Sequence, residues 1–200
     1  MRRTPRLKLL RRFGTPLPGL TRKEVPAPVD MPGPRRGRRK TSEYKRLLEE
    51  KQKLRVNYGV SERQLRNSLA MAKRLPGRTG EQLLALLERR LDSVVFRFGF
   101  APTIRAARQL VRHRHLQVDG RRVDLPGFLV QPGQRVSIAP TSRALAVVQE
   151  ATARGPLVRL PSFLVLDPDD AMSGRVISAP APSDTPLLVD IRQVVEFYAR

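Results

Sequence analysis

Residues 103–138 read TIRAARQLVRHRHLQVDGRRVDLPGFLVQPGQRVSI, and this stretch decides how the rest of the sequence is interpreted. After Thr103, a favourable helix-capping residue, apolar side chains recur at the three- and four-residue spacing of a helix. Basic and polar side chains recur at the same spacing on the other side, so they share one face. The predicted apolar face comprises Ile104, Ala107, Leu110 and Val111, and the predicted basic face comprises Arg105, Arg108, Gln109 and Arg112.

A tight β-hairpin is predicted directly after this helix. Leu116-Gln117-Val118 alternates between apolar and polar residues, Asp119-Gly120 supplies two residues that tolerate positive φ, and Arg121-Arg122-Val123 leads back. Two further strands, over residues 127–130 and 135–138, are predicted on either side of a turn that contains proline and glycine. The whole stretch is therefore predicted to fold as a small α+β module.

The basic residues of this module indicate a polyanionic partner. No acidic residue lies between Thr103 and Val118, whereas a solvated helix face usually carries both signs of charge. The 200-residue chain has a formal net charge of +21, which a nucleic acid would neutralise. A membrane surface is the alternative polyanion. No apolar run reaches the roughly 18 residues of a spanning helix, so the protein is not expected to be integral to a membrane.

The composition also excludes several kinds of chemistry. The sequence has no cysteine, which excludes disulfides, thiol catalysis and cysteine-based zinc sites. The two histidines, His113 and His115, cannot build a metal site alone, so neither a metal nor a cofactor is predicted. Asp92 has the chemistry of a catalytic carboxylate, but no second acid lies near it in the sequence. We therefore expect Asp92 to cap a helix.

The positive charge is concentrated in the first two thirds of the chain. Residues 1–40 carry a net charge of +11, residues 41–138 also carry +11, and residues 139–200 carry −1. The polyanion is therefore expected to contact the first two thirds, and the last third is expected to pack or to bind a protein. Apart from a short turn at 7–10, the proline-rich start of the chain lacks the apolar period of a packed element. It is predicted to be an irregular basic arm that orders on RNA. A targeting peptide and a flexible solubilising tail are the alternatives, and the prolines disfavour the first.

Four helices are predicted between this arm and residue 99. The first runs from Ser42 to about Asn57, and the second follows Ser61-Glu62-Arg63-Gln64, which fits a capping box. The third opens at residues 79–82 with a second predicted capping box and carries the strongest apolar run of the chain. The fourth begins at Asp92-Ser93 and is expected to bury its valines and phenylalanines.

The end of the chain is predicted to pack back onto these helices. A helix is predicted over residues 142–153, and short strands are predicted at 164–166 and 176–177. The last residues, up to Tyr198, are strongly apolar. We therefore expect them to dock on the leucine-rich helices that precede Asp92.

Several motifs resemble one known family. Arg90-Leu91-Asp92, Ala107-Arg108-Gln109-Leu110-Val111 and Val118-Asp119-Gly120-Arg121-Arg122-Val123 together resemble the small RNA-binding module named after small-subunit ribosomal protein four. Tyr58-Gly59-Val60-Ser61-Glu62-Arg63-Gln64 and the closing Val194-Val195-Glu196-Phe197-Tyr198 resemble that ribosomal protein family itself. The resemblance extends over essentially the whole chain.

The resemblance implies three segments with different tasks. A basic arm would cover residues 1–41, a mainly helical domain would combine residues 42–89 with 154–200, and the RNA-binding module would be inserted over residues 90–153. It also implies binding to small-subunit ribosomal RNA (rRNA), which nucleates subunit assembly, and a position near the channel through which messenger RNA (mRNA) enters. Contact with small-subunit ribosomal protein five, which influences decoding accuracy, is implied as well. The chain would be a structural ribosomal protein and not an enzyme.

The residues expected to bind RNA are basic or polar residues of the arm, the helices and the module. They are Arg11, Arg12, Lys45, Lys53, Arg55, Arg63, Arg66, Arg89, Arg90, Arg105, Arg108, Gln109, Arg112, His113, Arg121 and Arg122. By motif position, the resemblance also implies a second set near the mRNA channel. That set is Arg36, Arg38, Arg39 and Lys40.

The arm is similar to one branch of the family. Residues 6–14 followed by residues 17–21 are similar to the cyanobacterial and plastid branch, whereas residues 31–37 keep only the Pro-Gly of a stretch that the commonest bacterial form carries. We therefore expect a plastid-encoded protein of the chloroplast ribosome, which needs no transit peptide. The bacterial cytoplasm is the alternative.

Two other functions are compatible with parts of the sequence. Arg90-Leu91-Asp92-Ser93 superficially resembles the catalytic Arg-Leu-Asp of pseudouridine synthases, which modify RNA. In those enzymes the small module precedes a large catalytic domain, and no domain of that size follows here. A stress-related module that binds stalled ribosomes is the second alternative, and the matched helical flanks disfavour it.

Overall fold

A computed structural model describes residues 5–21 and 42–200 of the chain. These residues form eight α-helices and five short β-strands, so the predicted α+β fold class is confirmed. The helices are α1 (Arg6–Phe13), α2 (Glu43–Asn57), α3 (Glu62–Ala72), α4 (Thr79–Glu88), α5 (Leu91–Arg97), α6 (Ile104–Arg112), α7 (Ala146–Arg154) and α8 (Ile191–Phe197). The strands are β1 (Leu116–Val118), β2 (Arg121–Arg122), β3 (Arg135–Ile138), β4 (Leu164–Leu166) and β5 (Ser173–Val176).

Capping residues in the sequence determine where several helices begin. Ser42 and Thr103 each accept a hydrogen bond from the backbone N–H three residues later, at 3.3 and 3.2 Å. Ser61 and Gln64 form the complete capping box that the sequence predicts for α3. Each of these side chains satisfies an amide that the first helical turn would otherwise leave without a partner.

Two of the predicted helix caps are wrong. Helix α4 begins at Thr79, and the Gln82 side chain, which would complete a capping box, donates to the Pro76 carbonyl oxygen at 2.8 Å instead. Asp92 lies inside the first turn of α5 and caps no helix. Its carboxylate accepts hydrogen bonds from two arginine side chains, which are described below.

The five strands form one antiparallel sheet in the order β2-β1-β3-β5-β4. Asp119 and Gly120 join β1 to β2 with φ angles of 49° and 77°, the left-handed backbone that a two-residue hairpin turn requires. The predicted hairpin and the predicted strands at 135–138 and 164–166 are therefore confirmed. Strand β5 lies earlier in the chain than the predicted strand at 176–177, and α7 begins four residues after the predicted start at 142.

The strand predicted at residues 127–130 is wrong. This segment makes a single bridge, from Leu129 to Arg90, because its carbonyl groups bond to the start of α5. The N–H of Leu91 donates to the Phe128 carbonyl oxygen at 2.8 Å. The N–H of Asp92 donates to the Pro126 carbonyl oxygen at 3.1 Å. The segment therefore holds the start of α5 and does not join the sheet.

The sheet continues beyond the boundary that the sequence predicts for the module. Strands β4 and β5 follow residue 153, yet β5 pairs with β3 through the registered residues Val136 and Gly174. Both strands were expected to belong to the helical domain. A domain boundary at residue 153 would therefore divide the strands of one sheet between two domains.

The N-terminal segment packs onto the core. Leu10, Leu17 and Leu20 are at most 2% exposed, and α1 presents Leu10 to the other buried side chains. The prediction of an irregular arm is therefore wrong for residues 5–21, and residues 22–41 lie outside the described part of the chain. Three isolated leucines among prolines give no periodic pattern, which is why the sequence did not reveal this packing.

The C-terminal helix docks on α2 and α4, as predicted. The ring of Phe197 lies 5.7 Å from that of Tyr44, and the ammonium group of Lys51 lies 4.1 Å from the Phe197 ring centroid. Val194 is fully buried in the same contact. Within the described ranges, no helix has the length and apolar character that crossing a membrane requires.

Candidate RNA-binding groove

The basic face of α6 lines a wide groove with a volume of about 1130 Å³. The apolar face of α6 is at most 5% exposed, and this burial turns the opposite face outward. The N-terminal segment with α1, the corner after α2 and helix α7 contribute further lining residues, so four separate segments of the chain form what we call the α6 groove. Its lining comprises Arg6, Thr21, Gly59, Pro102, Thr103, Arg105, Ala106, Arg108, Gln109, Arg112, His113, Val147 and Glu150.

The charge of the α6 groove is strongly positive. Its lining includes four arginines and one acid, Glu150. Arg105 and Arg112 are exposed, and among residues 5–21 and 42–200 the Arg112 side chain has no hydrogen bond or ion pair. Guanidinium groups bind phosphate oxygens at two points, so this arrangement suits a folded polyphosphate.

Arg108 differs from the prediction. Its Nε and Nη2 donate to Asp92 Oδ2 at 3.1 and 2.7 Å, and its Nη1 donates to the carbonyl oxygen of Gly59. The Arg108 side chain is 26% exposed, so it lines the groove only in part. Most of its donors are thus directed at protein acceptors and not at the open groove.

Other cations that were expected to bind RNA also have protein acceptors. Arg90 is 6% exposed and donates to Asp92 at 3.0 and 2.9 Å. The Lys53 ammonium lies 2.5 Å from Glu50, and Arg89 donates to the Val130 carbonyl oxygen at 3.1 Å. We therefore remove Arg90 and Lys53 from the proposed interface, because their burial and their acceptors keep them from a ligand at the surface.

The remaining expected residues lie at the surface in separate patches. At the hairpin tip, Arg121 and Arg122 are exposed. In another patch, Arg55 and Arg66 each place a guanidinium nitrogen 3.6 Å from a carboxylate oxygen of Glu62. These pairs are long and partly open to solvent, so they are weak and leave the arginines available. The other exposed residues of the expected set are Arg11, Arg12, Lys45, Arg63, Gln109 and His113. Arg36, Arg38, Arg39 and Lys40 lie outside the described residues.

The two histidines lie side by side near one end of the groove. The ring centroids of His113 and His115 are 5.9 Å apart, and His115 Nδ1 lies 2.8 Å from Ser142 Oγ. Burial lowers the pKa of His115, and the charges of His113 and Arg122 lower it further. The His115 ring is therefore uncharged near neutral pH, and it does not add to the positive charge of the arginines.

Sequence reasoning did not assign Arg6, Thr21 and Glu150 to the site. Arg6 lies in a segment that was expected to lack regular structure and that forms α1 instead. Glu150 lies on α7, far from α6 in the sequence. No residue spacing connects these segments, because only packing brings them together. In the described ranges, no cluster of three or more histidines and carboxylates could hold a metal ion.

The fold and the groove define a class of protein. A compact α+β module joins a helix with an arginine-rich face to a hairpin with an arginine-rich tip, and a helical unit packs beside it. Such a basic surface, formed by arginines from several elements, is the electrostatic signature of a nucleic-acid-binding protein. The fold and this surface therefore define a protein that binds nucleic acid through a small, basic α+β module.

Comparisons with known proteins identify the family. The family model described as "Ribosomal protein S4/S9 N-terminal domain" matches residues 1–88, and the model described as "S4 domain" matches residues 89–136. The small ribosomal subunit protein uS4 of Methylobacillus flagellatus is 48% identical over 98% of this chain and 96% of that protein. The uS4 of Thermosynechococcus vestitus is 47% identical, with 99% and 97% coverage, and that of Geobacillus sp. (strain WCH70) is 45% identical, with 98% and 97%.

The chain belongs to the family of small ribosomal subunit protein uS4. The resemblance noted in the sequence is thereby confirmed, and so is the prediction of a ribosomal protein that is not an enzyme. The alternative of a pseudouridine synthase is wrong, because the match covers nearly the full length of ribosomal proteins.

Proposed function

We propose that the α6 groove binds small-subunit rRNA and that this binding nucleates assembly of the subunit. The observation that carries the proposal is the convergence of Arg6, Arg105 and Arg112 from two separate helices on one groove that has a single acid in its lining. Side chains cannot read the deep groove of A-form RNA, so the arginines recognise the shape of the phosphate backbone. The hairpin tip, with Arg121 and Arg122, adds a second basic patch to the proposed interface.

A salt titration with a fragment of small-subunit rRNA tests this proposal. Affinity is expected to fall steeply with salt, because each phosphate contact contributes about 0.7–0.9 to the slope of log affinity against log salt concentration. Arg112→Ala is expected to lower affinity about tenfold and to reduce that slope by one such contribution.

The matched control removes the same charge from another surface. Arg192→Ala changes an exposed arginine on α8, outside the groove, and is expected to leave affinity and slope near those of the wild type. Equal effects of the two substitutions would mean that net charge, and not the groove, determines binding. A shallow salt slope in the wild type would overturn the proposal.

The proposal includes a contact with small-subunit ribosomal protein five that contributes to translational accuracy. Supporting it, α8 docks on α2, and two apolar residues are exposed: Tyr44, which contacts Phe197, is 58% exposed, and Leu188, three residues before α8, is 67% exposed. Tyr44→Ser is expected to weaken capture of purified protein five and to raise misreading in a reconstituted translation assay. Met71→Ser, which changes a 47% exposed apolar residue on α3, is the control. Equal capture by both variants would contradict the contact.

We also propose that Arg36, Arg38, Arg39 and Lys40 lie near the channel through which mRNA enters. The support is their motif position in the family resemblance and the clustering of four positive charges within five residues. Replacing all four by glutamine is expected to slow translation of an mRNA with a stable hairpin more than that of an unstructured mRNA. Equal slowing of both mRNAs would contradict the proposal.

The compartment proposed is a plastid ribosome, with the bacterial cytoplasm as the alternative. The similarity of residues 6–14 and 17–21 to the cyanobacterial and plastid branch supports the first, as does a cyanobacterial relative at 47% identity. A relative from Methylobacillus at 48% identity supports the second. Mass spectrometry of ribosomes purified from isolated plastids would detect the chain under the first proposal and would not under the second.

A further inference from the structure

We propose that Arg108 is a positioning residue that joins the walls of the α6 groove, and that it is not a phosphate ligand. The inference rests on the proposed function of the groove. Arg108 extends from α6 and engages acceptors on two other elements, Asp92 in α5 and Gly59 at the corner after α2. We call Arg108 with these two acceptors the Arg108 clamp.

The corner after α2 also holds the N-terminal segment. The N–H of Gly19 donates to Asn57 Oδ1 at 2.9 Å, and the N–H of Ile104, the first residue of α6, donates to the Gly19 carbonyl oxygen at 3.0 Å. Asn57 is 3% exposed, so this contact is shielded from water. One corner, residues 57–59, therefore connects the N-terminal wall of the groove with the α6 wall through directional hydrogen bonds.

The chemistry of the clamp requires arginine and not merely a positive charge. A planar guanidinium can direct Nε and Nη2 at one carboxylate and Nη1 at a carbonyl, whereas a lysine ammonium cannot match this fork. Asp92 is fully buried and cannot touch RNA. Arg90 also pairs with Asp92, so replacement of Arg108 does not leave that carboxylate without a partner.

The functional consequence is a groove that is arranged before RNA arrives. Walls that are fixed in the free protein lose less conformational freedom on binding, which favours affinity without adding a phosphate contact. A clamp residue and a phosphate ligand therefore differ in a measurable way. Loss of the clamp lowers affinity at every salt concentration, whereas loss of a ligand also lowers the salt slope.

The test compares salt titrations of the intact wild type, Arg108→Lys and Arg112→Ala against a small-subunit rRNA fragment. Arg108→Lys keeps the charge and is expected to lower affinity about tenfold, the equivalent of roughly one charge-assisted hydrogen bond, with an unchanged slope. Arg112→Ala is expected to reduce the slope by about 0.7–0.9. Wild-type affinity in Arg108→Lys would overturn the inference, and so would a change of slope like that of Arg112→Ala.

A double substitution and a measurement on the wild type extend the test. Asp92→Asn removes the carboxylate charge and one of the two acceptor oxygens at Asp92 without changing a lining residue, so combining it with Arg108→Lys is expected to add little further loss of affinity. Additive losses would contradict a shared clamp. In the free wild-type chain, the Ile104 amide is expected to be protected from hydrogen exchange, and rapid exchange there would overturn the inference even if a variant failed to fold.

Failure of this inference can be distinguished from failure of the proposed function. If the wild type binds the rRNA fragment with a shallow salt slope, the groove is not the RNA site. If the wild type and Arg112→Ala behave as expected and Arg108→Lys binds as the wild type does, only the clamp is wrong.

Discussion

Replacing Gly19 with alanine tests whether the N-terminal segment is built into the wall of the α6 groove. A Cβ atom at residue 19 would lie 2.5 Å from Ile104 Cδ1 and 2.6 Å from the Asn57 carbonyl oxygen. Optimal contacts between non-bonded carbon atoms are about 3.5–4.0 Å. Ile104 Cδ1 can move away by a change of side-chain rotamer, but the Asn57 oxygen belongs to the backbone at the end of α2. The segment and this end of α2 must therefore separate by about 1 Å before the methyl group can be accommodated.

The expected loss of stability follows from these contacts. Overpacking of a well-packed site costs about 1–3 kcal/mol. The shift also weakens the bonds that Gly19 makes with Asn57 and Ile104, each worth about 1 kcal/mol. Detachment of the segment is no easier, because Leu17 and Leu20, now 2% and 1% exposed, would enter water. We expect the free energy of unfolding to fall by about 2–4 kcal/mol.

Urea denaturation followed by circular dichroism measures this loss. The control is Gly14→Ala, the same chemical change at the end of α1, where an added Cβ has no neighbour within 4 Å. Gly14 has a φ of +61°, so alanine there is expected to lower the free energy of unfolding only through its left-handed backbone conformation, by roughly 1–2 kcal/mol. If Gly19→Ala were no more destabilising than Gly14→Ala, the segment would not be packed against the end of α2 and α6, and the reasoning would be refuted.

Two further predictions concern ionisable groups outside the groove. Glu88→Gln is expected to lower the free energy of unfolding by about 3–5 kcal/mol, because it leaves the 4% exposed Arg97 without its carboxylate. Burial raises the pKa of Glu62, but hydrogen bonds from Tyr198 and Lys51 hold that pKa below its ordinary value of 4.5. A carboxylate of this kind stabilises the fold above about pH 4.5, and the contribution is lost as the pH falls through its folded-state pKa. Tyr198→Phe is expected to reduce that acid-dependent loss.

Each of these predictions has a control. Glu81→Gln breaks an exposed pair with Arg78 at 3.4 Å and is expected to cost less than about 1 kcal/mol in the same urea denaturation. A loss for Glu88→Gln no larger than this would contradict the buried pair. For Glu62, unfolding free energies are compared between pH 7 and pH 3, and identical pH dependence in the wild type and Tyr198→Phe would contradict the assigned cause.

Local patterns predicted most of the module. The cap at Thr103, the apolar spacing of α6 and the Asp119-Gly120 turn each act over a few residues, so the sequence alone specifies them. The docking of α8 was predictable too, because a strongly apolar terminus must bury its side chains.

Contacts between distant segments could not be predicted from such patterns. Leu10, Leu17 and Leu20 are buried by partners elsewhere in the chain, and nothing in their own spacing reveals those partners. For the same reason Asp92 was expected to cap a helix, although it pairs with two arginines. An arginine on an exposed helix face has the same sequence pattern whether it binds RNA or a buried carboxylate, so Arg108 and Arg112 were indistinguishable.

The most direct test of the central claim is to locate this chain in a reconstituted small ribosomal subunit by cryo-electron microscopy. The account predicts rRNA phosphates within about 4 Å of the guanidinium groups of Arg6, Arg105 and Arg112, with Arg108 still bonded to Asp92. An α6 groove that faces solvent or protein, while rRNA contacts another surface of the chain, would contradict it.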